Sequence, residues 1–326
     1  MTLGRSSVRL FGLSRPAVAS AGGRYAGPER QGGSRAKAHE GGTALTTRLL
    51  LILALLGGCA GPRQATVTPG DTQQLWAKYE AAVAAAKYPE ASKISQALVP
   101  LVPDTPGLRW NDEGQVLMVT WTQAAYFPPG DGPNQYRPGK TFPLYGDTWF
   151  TAVPFARDFC RANQGPSLVL RLEQALGLPP GTGKDAFVEV WIDPGRLFRP
   201  CPDPEVIDRE CQVRIPLAGY GPAPDENQPP WYCPEPLPAP DQALPQQGGA
   251  FATVSQAHLN WMCTNWKSTY VNAANDAVWK PYPWTALGYT FDWGDAGDPV
   301  GQSEFVALGG TSVTFHAVTP TEAYCR

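Results

Sequence analysis

The chain has 326 residues, with 26 Lys/Arg against 29 Asp/Glu and a formal charge of −3. Eight of the basic and two of the acidic side chains precede Cys59, so residues 59–326 carry 18 and 27 of them and a formal charge of −9. A chain this acidic lacks the clustered Lys and Arg of a nucleic-acid footprint, which sets nucleic acid aside as a partner.

Residues 1–47 carry Arg5, Arg9, Arg15, Arg24, Arg30, Arg35 and Lys37 among Gly, Ser and Ala, with no sustained apolar period. Low hydrophobicity with positive charge predicts disorder. A basic stretch of this length is unusual ahead of an export signal, and the expectation is that translation begins near Leu45 or Thr46, at a non-AUG codon. Arg48 then precedes an apolar run from Leu49 to Leu56, followed by Gly57, Gly58 and Cys59. The run is shorter than the ~20 residues of a membrane-spanning helix but has the length of the apolar part of a cleaved signal.

The tail Leu56-Gly57-Gly58-Cys59 resembles the lipobox of bacterial lipoproteins. The resemblance covers about a dozen residues. It implies that residues 48–58 are removed and that Cys59 becomes the first residue of the mature chain, carrying diacylglycerol and fatty acid. It also implies anchoring in the cell envelope, on the outer membrane facing the periplasm where a cell has two membranes. An ordinary secretory signal cleaved nearby is the alternative. The cysteines agree with export: setting Cys59 aside leaves Cys160, Cys201, Cys211, Cys233, Cys263 and Cys325. These can pair into three disulfides in an oxidising compartment, in connectivities that sequence does not separate. Cys201 and Cys211 could close a local loop around Pro202-Asp203-Pro204. The absence of a CxxC pair from the sequence removes zinc ribbons and thioredoxin-type redox motifs.

Residues 59–70 read as a polar tether. Asp71 then caps a helix in which Leu75, Trp76, Tyr79, Ala82, Val83 and Ala86 recur at three- and four-residue intervals. Leu108–Trp110, Asn111–Gly114 and Gln115–Thr122 read as strand, turn and strand. Thr148–Val153 reads as a strand leading into a short helix with Phe155, Phe159 and Cys160, and Ser167–Leu176 as a second helix. Phe187–Asp193 is an alternating strand. Residues 221–249 are too rich in proline for a regular element and, with Cys233 inside, read as a stapled surface excursion. A helix over Val254–Trp266 and strands over Leu287–Trp293 and Phe305–Leu308, the latter turning at Gly309-Gly310 into a strand over Ser312–Val318, complete the chain. The expected fold is a single disulfide-stabilised α+β domain over 71–326, with mixed or antiparallel strands, a few short helices and a Pro-rich surface loop.

Pro179-Pro180-Gly181-Thr182-Gly183-Lys184 looks like an ATPase phosphate loop, but Leu178 stands where a glycine is needed and Asp185 where a magnesium-binding hydroxyl is needed. Nucleotide is therefore not an expected ligand. Gly301-Gln302-Ser303-Glu304-Phe305 fails as a nucleophile elbow at its last position. His258, on a helix with Trp261 and Met262, and His316, between Phe315 and Ala317, are candidate bases against a structural reading of each. Glu189, Trp191 and Asp193 share one strand face, opposite Val188, Val190 and Ile192. Glycoside hydrolysis uses two carboxylates about 5–9 Å apart. Glu189 and Asp193 are too far apart along a strand for that, so either would need a partner from elsewhere, and a solvated strand face is the plain reading. Asp292, Asp295 and Asp298, with Glu304 downstream, form an acidic glycine-containing loop and a candidate calcium site, although its spacing is not that of an EF-hand. Asp292 also counts among the candidate catalytic carboxylates.

All eleven tryptophans follow Cys59, and Trp191, Trp284 and Trp293 are the candidates for stacking on a ligand. The sequence favours a lipid-anchored envelope protein that binds or scaffolds, with glycan or envelope proteins as partners and no cofactor beyond a candidate calcium ion. A carboxylate-dependent hydrolase of envelope polysaccharide or peptidoglycan is the alternative.

Overall fold

A computed structural model describes residues 69–215, 233, 251, 254–272 and 281–326. The leader, the apolar run, Cys59, most of the tether and all of the Pro-rich excursion except Cys233 lie outside the described residues. The elements in order are α1 (Pro69–Ala86), β1 (Val116–Thr122), β2 (Thr141–Pro143), β3 (Thr148–Ala152), α2 (Val153–Ala162), α3 (Leu168–Ala175), β4 (Ala186–Ile192), β5 (Leu197–Phe198), α4 (Gln256–Lys267), β6 (Tyr289–Phe291), β7 (Val300–Ser303), β8 (Phe305–Ala307), β9 (Ser312–Pro320) and α5 (Thr321–Tyr324). Pro69 sits in the first turn of α1, where a missing backbone N–H costs nothing. Ser255 caps α4 by accepting from the His258 N–H at 3.2 Å.

The expected α+β fold is present: seven strands form one antiparallel sheet in the order β2-β9-β4-β1-β3-β8-β5, and β6 and β7 form a separate ribbon. Strand β1 is central because its near-continuous apolar run is buried on both faces. Val116 and Met118 join Val188, Val190, Ile192, Phe150, Phe305 and Phe315 on the face covered by connecting segments. Leu117, Val119 and Trp121 join Phe187 on the face covered by α2, α3 and α5. Further along that second face α4 covers β5 and β8, through Trp261 against Phe198 and Val306.

Three expectations are corrected. Leu108–Trp110 makes a single bridge, Trp110 to Val116, and Leu287–Trp293 narrows to the three residues of β6. At its start the second change follows from Gly288, whose φ of +75° is a left-handed conformation that a regular strand does not contain, and at its end from the turn in which Asp292 accepts from the Gly294 N–H. β8 and β9 both form, but they do not pair with each other: β8 lies between β3 and β5, and β9 between β2 and β4.

Three disulfides join Cys160 to Cys325, Cys201 to Cys211 and Cys233 to Cys263. The first ties α2 to the C-terminus across 165 residues, and the third ties the Pro-rich excursion to α4. The second closes a short loop around Arg199, whose side chain is fully buried. Arg199 Nε donates to the Glu205 carbonyl at 3.1 Å, and Nη2 donates to those of Val99 at 2.9 Å and Asp208 at 2.7 Å. The guanidinium also lies 5.1 Å from the centre of the Phe305 ring of β8. Replacing it strands three carbonyls, of which that of Val99 accepts a fully buried bond. Arg199→Met is expected to lower the unfolding free energy by about 3 kcal/mol, as for the loss of a buried ionic partner. Urea denaturation checks this, and an unchanged midpoint would show that the loop holds without its cation.

Candidate functional site

The sequence candidates that the fold brings together are Glu189, Trp191 and His316. Glu189 and Trp191 project from β4 onto the helix-covered face, as alternation requires, and α2 lies over them. The face is therefore not solvated at Glu189, which is 3 % exposed. Arg157, half-buried on the same helix that buries Val153, Ala156 and Cys160, donates from Nη2 to Glu189 Oε1 at 2.6 Å. The β4–β9 register shifts between Glu189 and Val190, which pair with Ala317 and Phe315, so His316 is the extra residue of a bulge. A bulge re-aims the side chain it carries. Here the imidazole meets the Trp191 indole, whose Nε1 lies 3.2 Å from His316 Nδ1.

An indole N–H can only donate, so Nδ1 accepts and the imidazole proton is on Nε2. Nε2 faces Glu189 Oε2 at 3.8 Å, beyond a hydrogen bond but close enough for attraction. Burial is the main influence lowering the pKa of His316; Glu189 opposes it, and Arg109 and Arg157 add to it. The ring is thus held neutral. Arg109 completes the group, its guanidinium 5.8 Å from the centre of the Trp191 ring. Its backbone is pinned beside β1, because its carbonyl accepts from the Leu117 N–H at 2.9 Å.

The remaining candidates lie elsewhere. Asp193 is exposed and accepts from the Gly195 N–H at 2.8 Å, capping a 3₁₀ turn, so Glu189 has Arg157 and not Asp193 as its partner. Asp292 is buried and gripped by both terminal nitrogens of Arg171 of α3, at 2.8 and 2.6 Å. Asp295 accepts from the Gly297 and Asp298 N–H groups, and Asp298 from that of Val300. These backbone bonds lower the pKa of Asp295. The candidate calcium loop thus uses its carboxylates on turns and on an arginine. Among the described residues, the carboxylates that converge within 4.8 Å are instead Asp203, Glu205 and Asp208. Burial first, and then Glu205, pushes Asp203 up to about 8. The density of acids between Cys201 and Cys211 was the sequence signal for this cluster, and the cation beside it is Arg199, 3.7 Å from Asp208.

His258 is fully buried and pushed down to about 4, with Nε2 2.7 Å from the Cys201 carbonyl, so it is a neutral structural donor. Trp284 and Trp293 are 6 % and 7 % exposed, with their N–H groups on the carbonyls of Pro200 and Leu178. Trp149 on β3, not singled out by sequence, is 36 % exposed and packs at 6.2 Å from Trp261. In the loop that looked like a phosphate cradle, Gly181 N, Thr182 N and Thr182 Oγ1 all donate to Glu173 Oε1, at 2.9, 2.7 and 3.0 Å. An internal carboxylate of α3 thus takes the donors that would otherwise face a phosphate. Arg109 and Arg157 carried no sequence signal, since a single arginine outside any motif looks alike wherever it lies.

In comparisons with protein-family models, curated proteins and solved structures, no match to the chain was found.

One buried acid gives a pH dependence. Glu304 is fully buried, its Oε1 has no hydrogen-bond partner, and burial pushes its carboxyl from 4.5 up to about 8. The folded protein therefore holds this proton more tightly than the unfolded chain. The stability this contributes is fully present below 4.5 and is lost as pH rises through about 8. Glu304→Gln keeps the neutral shape without the titration, so its melting temperature is expected to gain on that of the parent between pH 5 and 8.5. A constant difference across that range would show that Glu304 is not held protonated.

Proposed function

We propose that the protein is a lipid-anchored protein of the cell envelope, held through Cys59, whose folded part binds a ligand and does no chemistry on it. The anchor is supported by cysteine arithmetic: three disulfides use all six cysteines after Cys59, and Cys59 is left without a cysteine partner in the chain. Its position at the end of a lipobox-like sequence gives the thiol a use. Among the described residues no helix is long and apolar enough to cross a membrane.

Binding in preference to catalysis is carried by one observation, the engagement of His316. Its one nitrogen able to accept a proton already accepts the Trp191 N–H, and Glu189, which would orient it, is paired with Arg157. A general base needs its lone pair within reach of the substrate proton. Here that lone pair is turned inward, to the indole. What remains open to solvent is recognition surface, namely the exposed Arg109 and the half-buried Trp191.

Expression in a bacterial host fed labelled palmitate is expected to label the parent chain and not Cys59→Ala, and the parent is expected to partition with membranes. An unlabelled, freely soluble parent would overturn the anchor. Incubation with purified envelope polysaccharide is expected to retain the protein without releasing new reducing ends. Release of reducing ends that is lost in Glu189→Gln would instead establish the hydrolase.

A further inference from the structure

The charges around Trp191 do not cancel. Arg157 is matched by Glu189 at 2.6 Å, and His316 is neutral in the tautomer that the Trp191 N–H imposes. Arg109 is exposed, and among the described residues it is absent from every ion pair. The group therefore carries one positive charge in excess, on a chain whose residues after Cys59 sum to −9. An uncompensated cation in an acidic protein creates a local site for an anion against an otherwise repelling surface.

The aromatic component is equally directed. His316 holds the indole by its N–H edge, so the six-membered ring edge and the ring faces are what Trp191 can offer. Arg109 stands over one of those faces. At 5.8 Å from the ring centre the guanidinium is near enough for attraction to the indole while its N–H groups can still form the paired hydrogen bonds that fit a carboxylate. Apolar C–H faces of a sugar ring complement an indole beside such a cation. The Trp191 ring is held by His316 before a ligand arrives, and the backbone of Arg109 is held by its carbonyl bond to Leu117. That reduces the ordering cost of binding.

We propose that Arg109, Trp191 and His316 form a site for an acidic sugar, a pyranose bearing a carboxylate, in which Arg109 takes the carboxylate and Trp191 the ring. This deepens the binding reading and rests on it.

The test is calorimetric titration of the mature, disulfide-bonded protein with an oligomer of galacturonic acid and with its carboxyl-reduced, neutral counterpart. The acidic oligomer is expected to bind at least about tenfold more tightly, and more weakly as salt rises. Arg109→Gln is expected to collapse that preference to less than about twofold, while Lys78→Gln, which removes a charge from the exposed side of α1, retains it. Trp191→Phe is expected to weaken the acidic ligand several-fold, and near-ultraviolet circular dichroism of each variant reports whether the fold is intact. Equal affinity for the two oligomers, or a preference that survives Arg109→Gln in a folded variant, overturns the assignment of the acidic sugar and leaves the binding reading standing. No binding of either oligomer overturns it too, and the polysaccharide retention experiment then decides separately whether the wider reading also falls.

Discussion

The buried guanidinium of Arg199 is the interaction on which most of the tertiary arrangement converges. It follows β5, and its main-chain N–H reaches the Pro204 carbonyl at 2.9 Å while its side chain takes the carbonyls of Val99, Glu205 and Asp208. Burial lowers its pKa to about 10, and the nearby acids Asp208, Asp203 and Glu205 oppose that fall, so it remains charged at neutral pH. The next two carbonyls along the chain receive bonds from distant elements: Pro200 from Trp284 and Cys201 from His258 of α4. A side chain on Gly288 would come within 2.7 Å of Cys211 Sγ and 3.4 Å of Arg199 Cδ, so the backbone leading into β6 lies directly on the disulfide. Desolvating a cation is costly unless its donors are used. Here the cation organises the acids and carbonyls that surround it, much as a bound metal ion would.

The same device recurs on the helix-covered face of the sheet. Arg157 ties α2 to Glu189 of β4, and Arg171 ties α3 to Asp292 beyond β6. Glu173 of α3 binds the turn that leads into β4 through two main-chain N–H groups and a hydroxyl. Each lock joins a helix to the sheet or to a turn beside it at a buried carboxylate with a specific partner. Apolar packing around Leu117, Leu172 and Phe187 supplies burial without direction, whereas these bonds fix the position of a helix along the strands.

Much of the fold was legible because its periods are local. The alternation of Phe187–Asp193, the apolar run of β1 and the three-and-four spacing of α1 are each written within one segment, and each formed. Strand partners were not legible. Gly309-Gly310 suggested a hairpin between β8 and β9, yet a central strand such as β1 creates its neighbours from sequence-distant segments. The site was half legible for the same reason. Alternation placed Glu189 and Trp191 on one face, but the partners that give them chemistry come from α2, from a bulge in β9 and from the segment before β1. A bulge is a mismatch between two strands and cannot be seen in either alone. The phosphate-loop likeness misled in a useful direction: its backbone donors are real, and their anion is Glu173.

These partners also explain why Arg109 stands apart. Arg157, Arg171 and Arg199 are each paired to an acid and each join elements distant in sequence. Among the described residues the Arg109 side chain is in no ion pair: it lies against the Trp191 ring, and the residue is exposed. A cation that serves only packing would gain from an acidic partner, and the turn that follows it offers Asp112 and Glu113, yet neither forms an ion pair with it. In a chain with more acids than bases, leaving one arginine fixed and unmatched beside a half-buried indole is an arrangement for which folding supplies no use. An anion arriving from outside would supply one, and it would meet there an aromatic surface already held in place by the sheet.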